Sequence, residues 1–268
     1  MTLQTISYTP INIGRWIIWS SFALLLGLAP LIFRSGGSLS LLSLMGTMMI
    51  FALSYNMLLG QSGMLSFGHA VYSGLGAFFA IHAINLSSSE AIFIPLSLIP
   101  LVGGLAGLTF GILFGYVTTK RSGTTFSMIT LVMAELVFAM SLMFAEFFGG
   151  EAGVSANRVV GQPVLGITFG PQRQVYYLIA VYTLVCVVLM YLLTQTPLGR
   201  ILNAVRDNPE RVAFIGYNTQ QVRYRAFIIA GFFAGIAGGL GAINFEIVTA
   251  EVVISICCLN FDNAFAHL

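Results

Sequence analysis

Residues 59–83 read LGQSGMLSFGHAVYSGLGAFFAIHA. The stretch is apolar enough to enter a membrane, yet it carries Gly60, Gly63, Gly68, Gly74 and Gly76. Polar Gln61, Ser62, Ser66 and His69 crowd its first half. A lipid-facing helix has no use for that composition. At membrane depth, irregular backbone is tolerated only where protein buries it or where it lines a cavity. The stretch therefore predicts a short or broken span placed inside a bundle.

The rest of the chain supports a membrane reading. Of 268 residues, 57% are hydrophobic and 7% charged, against roughly 25% charged in a soluble domain. That is too little charge to coat a globule of this size, so the chain is an integral membrane protein. Cys186, Cys257 and Cys258 show neither a pairing pattern nor metal-ligand spacing, and they read as small apolar fillers. No metal or cofactor is expected. The first long apolar run follows Arg15 and ends without a small-residue cleavage site, so no cleavable signal peptide is expected.

A span needs about 20 mostly apolar residues. Such runs lie at 16–33, 39–59, 64–84, 91–117, 124–147, 175–193 and 226–247. The expected fold class is all-α, a polytopic transmembrane helix bundle of about seven spans with a broken or short third segment. Seven spans put Arg15, Lys120, Arg121, Arg200, Arg206, Arg211, Arg223 and Arg225 on one side, and only Arg34, Arg158 and Arg173 on the other. The positive-inside rule makes the first side cytoplasmic. Gly103, Gly107, Gly111 and Gly115 recur every four residues in the fourth span, as do Gly231, Gly235 and Gly239 in the seventh. Small residues at that spacing let helix backbones approach closely in lipid, so these glycines are expected to pack helices.

A nucleotide-binding P-loop needs Lys followed by Ser or Thr. Lys120, the only lysine, precedes Arg121, so ATP hydrolysis would fall to another chain. The connection 194–225, TQTPLGRILNAVRDNPERVAFIGYNTQQVRYR, is the most charged part of the sequence. Ile201, Leu202, Ala204 and Val205 form an apolar face. Pro209 and Glu210 are helix-start residues and Gly216 is a stop. One or two amphipathic helices at the cytoplasmic surface follow, either resting on anionic lipid or docking a cytoplasmic partner in a groove.

Three motifs in order carry a resemblance. LGRILNAVRDNPERVAFIGYNTQQVRYRAFIIAGFFAGIAGGLGA is similar to the permeases of branched-chain amino-acid (Liv-type) ABC importers, specifically the second of their two related permease subunits. SYNMLLGQSGMLSFGHAVYSGLGAF resembles the family's N-terminal signature, and FGGEAGVS its outer-loop glycine motif. Together they cover most of 45–251. The resemblance implies a bacterial inner-membrane, multi-pass subunit that is not itself an enzyme. Its implied partners are a homologous permease in a heterodimer, two cytoplasmic ATPase subunits and a periplasmic substrate-binding protein. It also implies an ATPase-docking role for 194–225, carried by Glu210, Arg211, Ala213 and Gly216, because Glu210 to Gly216 has the family's Glu-to-Gly spacing. Branched-chain amino acids are the implied cargo. Permeases for urea or short amides are closely related and remain an alternative.

Candidates for a translocation path are Gln61, Ser62, Ser66 and His69 in the opening stretch and Glu135 in the fifth span. Broken helices offer half-helix ends and polar groups suited to a zwitterion. The competing reading of 60–76 is a short packed helix whose serines and His69 satisfy one another. Glu135, at mid-span, is a functional candidate by default; it either pairs inside the bundle or lines the path. Glu146 and Glu151 either help seat a binding protein or are solvated loop charges. Two rival functions are a passive channel for a small polar solute, which needs no docking loop, and a proton-coupled transporter, which needs more buried ionisable groups than Glu135 alone. The permease domain is taken as 1–251. The tail 252–268, VVISICCLNFDNAFAHL after Glu251, departs from the family pattern and suggests a truncated or frameshifted end. On that reading, the seventh span would lack neighbours for its glycine face.

Overall fold

The computed structural model describes residues 13–33, 35–88, 95–159 and 169–250. The tail 252–268 and Arg34 lie outside them, as do the side chains of Arg15 and Glu151. In chain order the helices are α1 (Ile13–Ile32), α2 (Gly36–Asn56), α3 (Ala70–Ser88), α4 (Ile99–Thr118), α5 (Thr124–Met143), α6 (Ala145–Phe148), α7 (Gln172–Gln195), α8 (Pro197–Asp207), α9 (Pro209–Phe214) and α10 (Thr219–Phe245). A π-helical turn, Met57–Gln61, prolongs α2, and two short strands, β1 (Val154–Ser155) and β2 (Ile247–Val248), pair antiparallel. Six helices are long and apolar enough to cross a membrane, counting α2 with its π-turn, and α1 adds a shorter apolar helix over Trp16–Ile32. A helix therefore falls on each of the seven expected runs, six of them long enough to cross a membrane, and the all-α bundle is present.

Helix α10 is the axis of the bundle, packed by α4, α3 and α2. Its glycine stripe meets that of α4 directly. A Cβ at Gly103 would lie 2.8 Å from the Gly235 carbonyl oxygen and 2.9 Å from that of Gly76, so three helices touch backbone to backbone. Gly107 faces Gly231 and Gly235, Gly239 lies on Pro100, and Gly111 and Gly115 continue the seam towards Phe227, Ile228 and Tyr224. The glycine face of α10 is thus already covered by α3 and α4, contrary to the expectation that it lacks neighbours. Without Cβ atoms the backbones come close enough for dispersion to act along the whole seam. Phe78, Phe126, Phe227 and Leu240 are fully buried around it.

Helix α1 is peripheral. It reaches the bundle through α7, where Ala29, Leu39, Tyr176 and Ala180 cluster and the Tyr176 hydroxyl donates to the Leu26 carbonyl at 2.8 Å. At the end away from the basic loops, β1 and β2 join the 144–159 connection to the end of α10. There Arg158 pairs with Glu246 at 3.1 Å and His82 Nε2 lies 2.7 Å from the Phe147 carbonyl. Glu146 is exposed at that end.

Several boundaries differ from expectation: α5 ends at Met143 instead of residue 147, where Phe144 leaves helical geometry, and two helices start elsewhere in ways that bear on the site. The third span begins at Ala70 instead of residue 64, because the chain is non-helical from Gly63 to Ser66 and turns through 67–69. The seventh begins at Thr219 instead of residue 226. The Asn218 side chain caps it by accepting from the N–H groups of Gln220 and Gln221. Arg223 and Arg225 are therefore in the first turns of α10 and the surface loop ends before them.

Candidate functional site

The break after α2 is built by glycine and rescued by neighbours. Gly63 adopts φ +68°, and the regular helical hydrogen-bond pattern ends there. The Gly63 N–H reaches Leu59 at 3.1 Å, while the Met64 N–H, which an α-helix would direct at Gly60, goes to Leu58 at 3.0 Å. The backbone freed beyond it is held by α5. Ser127 donates its hydroxyl to the Leu65 carbonyl at 2.7 Å, and the Phe67 N–H donates to Thr130 Oγ1 at 3.2 Å. Gly68 lies flat on the Thr130 carbonyl, where no Cβ fits. The sequence does not single out Ser127 and Thr130. Their signal is two hydroxyls three residues apart in an apolar span, and nothing in the pattern ties them to residues 65–68.

The polar residues of the break do not converge on one cavity. His69 is buried against α2 and α10, with its Nε2 2.6 Å from Ser54 Oγ. The Ser54 hydroxyl also lies 3.2 Å from the Ala230 carbonyl. A hydroxyl has one proton; given to Ala230, it leaves Ser54 to accept from His69 Nε2–H. Phe51, Tyr55 and Tyr72 surround the imidazole with ring centroids 5.3–6.0 Å away, and its Nδ1 has no hydrogen-bond partner among the described residues. Ser62 donates back to Leu58 at 2.6 Å. Ser66 is buried, and its hydroxyl has no partner among the described residues. Gln61 instead faces a cavity of about 240 Å³ between α1, α2 and α7, lined by Trp19, Asn56, Met57 and Tyr191 among others, and its buried Oε1 has no partner among the described residues. A second cavity of about 210 Å³, largely apolar, opens between α2, α3 and α10 beside Thr47, Phe51, Ser73 and Gly241.

Glu135 is not part of this cluster. It lies on the exposed face of α5 with Leu131, Val132 and Leu136, and among the described residues it makes no ion pair. Pairing inside the bundle is therefore corrected: α5 turns its small residue Ala134 and Val137 inwards, and the helix register carries Glu135 outwards.

The α8–α9 loop is a folded unit. Thr196 caps α8 and Asn208 caps α9, the latter accepting from the Arg211 N–H at 3.1 Å. Leu202 and Val205 of α8, with Val212 of α9, are buried against Val222 and Ala226 of α10. Leu202 and Val205 are thus consumed within the chain, with Ile201 half-buried beside them, whereas Ala204, expected on the same face, is exposed. What remains outside is the tip. Glu210, Arg211, Ala213 and Gly216 are all exposed, and Gly216 takes φ +97° to close α9. Phe214 is 89% exposed and Ile215 75%. Sequence reasoning misses these two apolar residues because they look like ordinary members of an amphipathic face. Among the described residues, no group of three His, Cys, Asp or Glu side chains is placed to hold a metal.

The model of the family described as branched-chain amino acid transport system / permease component matches residues 37–262. The chain belongs to that family. The match runs past Glu251 into the tail. Over 244 residues the chain is 26% identical to the high-affinity branched-chain amino acid transport system permease protein LivM of Salmonella typhimurium, covering 81% of this chain and 55% of that one. It is 24% identical over 207 residues to the probable branched-chain amino acid transport permease protein LivH of Methanocaldococcus jannaschii, covering 76% and 65%. It is 27% identical over 172 residues to the fructose import permease protein FrcC of Rhizobium meliloti, covering 58% and 48%. The chain spans about half the length of the LivM protein it matches. No solved structure gives a significant match.

Proposed function

We propose that this chain is a membrane-spanning permease subunit of an ATP-driven importer for branched-chain amino acids, seated in a bacterial inner membrane. The observation that carries the proposal is the family match over 37–262. In this reading the subunit does no chemistry on its cargo. It works with a homologous permease, two cytoplasmic ATPase subunits and a periplasmic binding protein. The α8–α9 tip, with Glu210, Arg211, Ala213 and Gly216, docks the ATPase, and exposed Phe214 and Ile215 supply apolar anchors for a groove in that partner. Gln61, Ser62, Ser66 and His69 belong to the helix break that helps line the path. Glu135, facing out of the single chain at mid-span, lines the path where the two permeases meet. The likeness to a fructose import permease favours a sugar as the second reading of the cargo.

The test is to co-express the chain with partner permease, ATPases and binding protein, purify through a tag on an ATPase, and measure hydrolysis stimulated by the binding protein. Gly216→Arg runs alongside. Co-purification and stimulation that both fail in the variant support the reading; a chain that never co-purifies, even at the relatives' full length, sinks it.

A further inference from the structure

The α8–α9 loop and the break after α2 touch through one side chain. Arg206, at the end of α8, donates from its guanidinium NH1 to the Gly60 carbonyl at 2.5 Å. That carbonyl lost its helical donor when the Met64 N–H turned to Leu58. Carbonyls at a helix end need an outside partner, and a guanidinium supplies a charge-assisted one. The same side chain lies over Gly63, where any Cβ would stand 2.9 Å from Arg206 Cγ. Its Nε is oriented by Asp207 at 3.2 Å.

The geometry points to Arg206 as the positioning residue that carries movement of the α8–α9 loop into the π-helical break, rearranging the stretch Gln61–Ser66 as the loop moves. This rests on the importer reading above. On one side of Arg206, α8 and α9 share a small apolar core with the start of α10 through Leu202, Val205 and Val212, so a force on the tip at Phe214 is passed to α8. On the other side, the break is the part of α2 least able to resist: a π-turn ended by a left-handed glycine. Beyond Gly63 the chain is pinned to α5 at Leu65 and Phe67. A pull at Gly60 is therefore absorbed between Gly60 and Leu65, the stretch that holds Ser62 and leads to Ser66.

The experiment uses the whole complex in proteoliposomes with radiolabelled leucine and radiolabelled fructose as probes. It reads co-purification, ATP hydrolysis stimulated by the binding protein, and solute moved per ATP. Arg206→Met keeps a stem over Gly63 and loses the guanidinium; Arg206→Lys restores one cationic donor. The expected result is that both variants co-purify with the ATPases, that solute moved per ATP falls several-fold in Arg206→Met, and that Arg206→Lys recovers part of it. An unchanged ratio in Arg206→Met overturns the proposal. So does a parallel fall in transport and hydrolysis, or loss of co-purification, since either makes Arg206 a plain anchor for α8. If the unaltered complex moves neither probe, the importer reading itself fails, and the proposal with it, before any variant is compared.

Discussion

Two glycine-to-alanine substitutions, one on the glycine seam and one off it, should move stability in opposite directions. Gly76, in α3, faces the backbone of α10: an added methyl would stand 2.6 Å from the Gly235 carbonyl oxygen, 2.7 Å from Gly235 Cα and 3.0 Å from the Gly103 carbonyl oxygen. A carbon–oxygen contact tolerates roughly 3.3 Å, so the shortfall is about 0.7 Å. No flexible side chain is there to yield. Helix α10 has little room to yield, because its Gly231 and Gly235 are also in contact with Gly103 and Gly107 of α4. Overpacking of this kind costs about 1–3 kcal/mol, only partly offset by the helix propensity gained on replacing Gly with Ala, up to about 1 kcal/mol. Gly241, also in α10, has none of the described residues within 4 Å of its Cβ position. There the propensity term stands alone, and Gly241→Ala should be neutral to stabilising by up to about 1 kcal/mol. Thermal unfolding of the purified protein in detergent, followed by the surviving monodisperse peak in size-exclusion chromatography, reads both. Gly76→Ala should lose several degrees and Gly241→Ala should not. If the two shift together, the three-helix glycine contact is not where the backbones meet.

Other outcomes follow from single side chains. Thr130→Val keeps the shape but leaves the Phe67 N–H without its acceptor; a loss of about 1–3 kcal/mol is expected, measured in the same unfolding assay. His69→Ala removes the tie to Ser54 and should cost at least about 1–3 kcal/mol through the buried hydrogen bond alone, while His69→Phe should recover packing but not the bond. Phe214→Ser and Ile215→Ser change only exposed residues, so stability should stay within about 0.5 kcal/mol while recovery of the chain through a tagged ATPase falls. Glu135→Gln should likewise leave stability within about 0.5 kcal/mol, because none of the described residues forms an ion pair with it, and should lower solute uptake; a large loss of stability would instead mean that Glu135 is paired in the folded subunit.

The helices are legible because the membrane leaves few alternatives. Backbone that must satisfy itself in hydrocarbon becomes helix, so seven apolar runs translate into seven helices. Their ends are less legible. Asn218 extends α10 back to Thr219 through a cap inside a charged loop, where span counting has no sensitivity. The glycine periodicity shows that α4 and α10 pack closely. It does not show that Gly76 joins them, because a glycine in the opening stretch reads equally well as a kink or as a contact, and only the neighbouring backbones decide which.

The polar residues of the break are visible as a cluster in sequence, and their dispersal in space has a physical cause. A π-turn followed by a left-handed glycine swings successive side chains away from any common face. Gln61 is sent towards α1 and α7, and His69 towards α2 and α10. The groups that hold the break come from elsewhere: Ser127 and Thr130 from α5, Arg206 from α8. Each satisfies a backbone atom, and backbone atoms leave no trace in a residue pattern. A sequence can show where a helix fails; it cannot show which distant side chain takes up the freed carbonyl. That the carbonyl of Gly60 is taken up by the helix next to the exposed Phe214 makes the break the natural place for a cytoplasmic push to enter the bundle. The remaining contacts of α8 and α9 lead into α7 and α10, regular helices, whereas Arg206 reaches the irregular backbone of the break.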